Sequence, residues 1–71
     1  VIVVVVEGAE TAARLRELVR PGVEVLALAS AAGRRTFETV FVVGVVRHRM
    51  TPAQKRWLAS VCAVNADVVW Q

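Results

Sequence analysis

This 71-residue chain has one cysteine, one histidine and one lysine, and only 6% of it is aromatic. With Cys62 alone there is no internal disulfide and no multi-cysteine zinc site. With His48 alone, and no Cys or carboxylate at ligand spacing, no metal site is expected. The longest apolar runs, Val1–Val6 and Val40–Val46, fall far below the roughly 18 residues of a membrane span. No basic segment precedes the first run, so it does not read as a signal peptide. The loop Glu7-Gly8-Ala9-Glu10-Thr11 has one glycine and two carboxylates, which is neither a phosphate loop nor a dinucleotide fingerprint. Hydroxyls occur at Thr11, Ser30, Thr36, Thr39, Thr51 and Ser60, but no base stands with them in a triad arrangement. The expectation is a cytoplasmic chain that is not an enzyme, carries no cofactor and binds no membrane.

What the chain does have is apolar bulk. At 56% hydrophobic it is too apolar for disorder, and residues 1–71 read as a single α/β domain. A domain of this size buries only about 60% of its unfolded surface. Charge is unevenly spread. Residues 1–33 hold three arginines against four glutamates, a net of −1. Residues 34–71 hold Arg34, Arg35, Arg47, Arg49, Lys55 and Arg56 against Glu38 and Asp67, a net of +4. Such asymmetry points to an anionic partner such as nucleic acid. The plainer reading is a set of solvated arginines, the usual state of that residue.

The β-branched run Val1–Val6 suits a strand buried on both faces of a parallel sheet. A helix fits Thr11–Arg20, with Ala12, Leu15, Leu18 and Val19 on one face, and Pro21-Gly22 stops it. Val23–Ala29 is a second strand, Ser30–Thr36 a polar loop, and Phe37–Val46 a third strand. Thr51-Pro52-Ala53-Gln54 is a helix start: Thr51 as N-cap, Pro52 in the first position, Gln54 closing a capping box. That helix is expected to run to about Val64, with Asn65 in the left-handed terminating conformation, before a last strand at Asp67–Trp70. Trp57 is assigned to the core and Cys62 to a buried, inert thiol.

Right-handed crossovers then give a mostly parallel four-stranded sheet of order 2-1-3-4, a half of the Rossmann or RecA type. One helix covers strands 1 and 2 on one face, the other covers strands 3 and 4 on the opposite face. One face beside strands 3 and 4 is left without cover, so a second copy or a partner protein is expected there, or the last strand pairs across a dimer axis. Trp70, near the end of the chain, is the candidate interface anchor.

Open parallel sheets bind ligands beyond the carboxyl ends of their strands. Arg47-His48-Arg49 lies there, beside a helix N-terminus whose dipole favours anions. Arg47, Arg49 and Lys55 are therefore candidate phosphate contacts, joined by Arg34 and Arg35 of the loop between strands 2 and 3, on the same edge or the opposite one.

The stretch Leu28–Gly44, LASAAGRRTFETVFVVG, resembles motif V of the UvrD-like (superfamily-one) DNA helicases. Ala32, Phe37, Val40, Phe41, Val42, Val43 and Gly44 follow its pattern of a T-x-H-x-A-K-G-L-E-F loop running into V-V-F-L-V-G. Gln54–Trp70 is similar in length and rhythm to that family's motif VI helix and strand. The resemblance implies a minimal second RecA-like domain. It places Ser30 where the family has a DNA-contacting His, so Ser30 joins the candidate nucleic-acid residues. Leu28 replaces the Thr, Gly33 falls at the Lys, Arg34 at the Gly, Thr36 at the Glu, and Val64 at the catalytic arginine. No Walker A motif is present. The resemblance thus implies a scaffold without the motor, and no ATP hydrolysis.

Overall fold

A computed structural model describes residues 2–30 and 36–71; Arg34 and Arg35 lie outside them. The described chain runs β1 (Ile2–Val6), α1 (Ala9–Arg16), β2 (Val23–Ala27), β3 (Phe37–Val42), a 3-10 turn (Arg47–Arg49), α2 (Pro52–Val61) and β4 (Cys62–Trp70). The sheet is all parallel, in the order β2-β1-β3-β4.

Stepping from β1 to β2 and stepping from β3 to β4 go in opposite directions across the sheet. Crossovers of one hand therefore put α1 and α2 on opposite faces, and two cores result. On the α2 side Val3, Val5, Val40 and Val42 are buried against Met50, Leu58 and Val61. On the α1 side Val6, Val25 and Ala27 are buried against Ala12. Each fully buried valine contributes about 1.5–3 kcal/mol of apolar transfer.

Besides β2, which ends at Ala27 and not at Ala29, the boundaries differ from the sequence expectation in three places. First, α1 begins two residues early and ends at Arg16. Leu18 falls in the turn after it and is 81% exposed, so only Ala12, Leu15 and Val19 form the apolar stripe. Second, β3 stops at Val42, because Gly44 takes a φ of +73° that only glycine adopts without strain.

Third, α2 ends at Val61 and β4 begins at once at Cys62, whose φ and ψ are already extended. Asn65 is not a left-handed cap; it lies within β4. Phe37 pairs with Cys62 and Thr39 with Asp67, so β3 advances two residues while β4 advances five. The surplus bulges from the sheet edge and leaves Val64 completely exposed. A bulged edge of this kind discourages pairing with another strand.

Among the described residues α1 is the only element on its side of the sheet, and it sits over β1 and β2. Alternation puts Thr39 and Phe41 of β3, Val43 just beyond its end, and Val69 of β4 on that same side. Phe41 is half-buried, and Val43 and Val69 are each 37% exposed. Among the described residues an apolar strip beside strands 3 and 4 is thus left uncovered.

Candidate functional site

Beyond the carboxyl ends of β1 and β3, the chain is pinned in place by backbone hydrogen bonds. Val43 N–H donates to the Val5 carbonyl at 2.9 Å, and Gln71 N–H to the Val42 carbonyl at 2.8 Å. The second bond and the register Val42–Trp70 fix the end of β4 beside β3. The 3-10 turn follows, and Met50 after it is buried in the α2-side core. With Met50 as the anchor, Arg47, His48 and Arg49 are all held out in solvent.

The two arginines of this turn go different ways. A 3-10 helix has three residues per turn, so positions two apart point about 120° from each other. Arg47 lies over the indole of Trp70, its guanidinium carbon 5.2 Å from the ring centroid, within cation–π range. Arg49 instead lines a small cavity with Glu7, Leu28 and Gln54. The carboxylate of Glu7 in that cavity opposes an anion there.

Arg47, His48 and Lys55 share the mouth of a groove of about 700 Å³ between α2 and β4. Its floor and walls include Met50, Leu58, Val68 and the half-buried Trp70. Trp70 therefore faces the α2 side and packs on the core, away from the uncovered strip. Cys62 lines the groove and is half-buried, and desolvation pushes its thiol pKa above the ordinary value. A thiol shifted that way is less nucleophilic at neutral pH.

The capping box at the start of α2 is present in full. Thr51 Oγ1 accepts the Gln54 N–H at 3.1 Å, and Gln54 Oε1 accepts the Thr51 N–H at 2.9 Å. Lys55 N–H donates to the Thr51 carbonyl at 3.0 Å, and Pro52 has no N–H. The box therefore takes up most of the amides expected to attract an anion. Anion binding at this end rests on the side chains and the dipole.

Ser30 follows β2, at the opposite side of the sheet from β4. Its carbonyl accepts the Trp57 indole N–H at 2.6 Å, which ties α2 to the end of β2 and makes Trp57 a half-buried core partner. The structure thus brings Arg47, His48, Lys55 and Trp70 together and sets Ser30 and Arg49 apart from them. His48 and Trp70 were legible as residues but not as neighbours; the only signal was the 2-1-3-4 order, which lays β3 beside β4.

Among the described residues no group of three His, Cys, Asp or Glu side chains is placed to hold a metal ion, and no helix is long and apolar enough to cross a membrane. Compared with known proteins, the chain matches no family model, no curated protein and no solved structure.

Proposed function

We propose that this chain is a non-catalytic module that binds nucleic-acid phosphates through the carboxyl-end edge of its sheet. The observation that carries the reading is the clustering of Arg47, His48 and Lys55 at one groove mouth. All three are exposed, and Arg47 is held over Trp70. An arginine steadied on an aromatic face loses less side-chain freedom on binding. The net charge of +4 over residues 34–71 adds a long-range attraction, and phosphate contacts of this kind carry affinity without base sequence preference. On this reading the likeness to the second RecA-like domain of UvrD-like helicases is one of scaffold, without the nucleotide-hydrolysing residues. Arg34 and Arg35 belong to the reading on the strength of the sequence. Replacing Arg47 and Arg49 together by alanine is expected to weaken oligonucleotide binding and leave the fold intact. Unchanged affinity would overturn the site.

The uncovered strip favours a second reading, a homo-oligomeric interaction module. Phe41, Val43 and Val69 share one face beside strands 3 and 4, and apolar parallel sheets are ordinarily covered on both faces. A second copy meeting this strip would double the basic edge, so the two readings are compatible.

A further inference from the structure

The groove between α2 and β4 is polarised along its length. Arg47, His48 and Lys55 stand at the end nearest the carboxyl edge of the sheet. From there Leu58 and Ala59 of α2, Val68 of β4 and Cys62 continue the lining. Its volume of about 700 Å³ is that of a small-ligand site. From Lys55 to Val61 the helical wall is about 9 Å long. Among the described residues no carboxylate lines the groove, so an anion at the mouth meets Arg47 and Lys55 without a competing negative charge.

The walls also say what kind of ligand body fits. Among the described residues they carry no amide or hydroxyl side chain, and reading a nucleobase edge draws on such groups. One face of Trp70 is already taken by Arg47, which removes that stacking platform. Aliphatic walls with a cationic mouth fit a flexible alkyl chain with an anionic head. We infer that this groove binds a free single-chain amphiphile with a phosphate or carboxylate head. The head meets Arg47 and Lys55 through charge-assisted hydrogen bonds, and the chain lies between α2 and β4. The inference stands apart from the nucleic-acid reading, although the two share the cations at the mouth.

The test is titration of the full chain with octyl phosphate, followed by calorimetry and by the fluorescence of Trp57 and Trp70. Saturable one-to-one binding is expected. Octanol lacks the head and inorganic phosphate lacks the chain, so each is expected to bind about tenfold more weakly or worse. Ala59 is an exposed wall residue, and Ala59→Phe fills the groove. That variant is expected to lose about tenfold or more in octyl phosphate affinity with oligonucleotide binding and melting temperature unchanged. Octanol or inorganic phosphate binding as tightly as octyl phosphate would overturn the site, as would undiminished binding by a folded Ala59→Phe. Attachment to anionic phospholipid vesicles without binding of free octyl phosphate would overturn it too. Because Ala59→Phe leaves every cation in place, loss of this site and loss of nucleic-acid binding are separately readable.

Discussion

Arg47 sits over the indole of Trp70, 5.2 Å from the ring centroid, and so joins the 3-10 turn after β3 to the last residues of β4. That contact aims one of the turn's two arginines at the groove, while Arg49 lies beside Glu7. The pair should not contribute equally. Arg47→Ala is expected to weaken oligonucleotide binding more than Arg49→Ala, measured by anisotropy at one fixed salt concentration. Its effect on stability should stay within about 1 kcal/mol, the size of an exposed cation–π contact.

Thr51 closes both halves of the capping box at α2. Thr51→Ala leaves the Gln54 N–H without its partner and is expected to lower stability by about 1 kcal/mol. Urea unfolding checks this as a lowered midpoint at an unchanged slope.

Ala29 has a φ of +64° in the turn closed by the Ser30 N–H to the Ala27 carbonyl, at 3.0 Å. An L-residue pays about 1–2 kcal/mol in that conformation, while glycine adds about 0.4–1 kcal/mol of unfolded-chain entropy. Ala29→Gly should therefore stabilise the chain, by up to about 1.6 kcal/mol. Gly44→Ala, at φ +73° with open space around its Cβ, should do the reverse. Thermal melts of the two variants should move in opposite directions.

Cys62 has a pKa raised by burial. Above the ordinary thiol pKa the unfolded chain gives up this proton before the folded chain does, so the thiol's contribution to stability falls as pH rises. Below that pH both states hold the proton and the contribution is complete. Cys62→Ala should flatten the alkaline loss in a series of melts from pH 7 to pH 10. Alkylation of native Cys62 at pH 8 should be slower than that of the unfolded chain.

Val69 is on the uncovered strip. If a second copy covers that face, Val69→Lys should turn a dimer into a monomer in sedimentation at micromolar concentration with little change in secondary structure. Identical sedimentation of the two proteins would rule out the strip as the contact.

The fold could be read from the sequence wherever local chemistry and long-range packing agree. The valine run of β1, the Thr51-Pro52-Gln54 helix start and the strand order all follow from rules that tertiary contacts do not override. Leu18 and the segment Val64–Asn65 show where they disagree. Leu18 keeps the helical period, yet α1 has already ended, because the turn through Val19 and Gly22 must return the chain to β2. Val64 reads as the next apolar position of α2, yet β4 must start early enough for Cys62 to meet Phe37. The basic residues of the site were visible, but their division was not. Arg47 and Arg49 are equivalent in sequence and separate only because the turn is 3-10. The groove draws on three stretches, Arg47–Met50, Lys55–Cys62 and Val68–Trp70, and exists only once the Val42–Trp70 register is known.

The most direct test of phosphate binding at the carboxyl edge is the salt dependence of oligonucleotide affinity, measured for the chain as it stands and for Arg47→Ala with Lys55→Ala. Affinity should fall steeply with salt, with a log–log slope of about 0.7–0.9 per phosphate contact. The double variant should bind more weakly with a slope shallower by about two contacts. Equal slopes, or no binding even at low salt, would contradict the account.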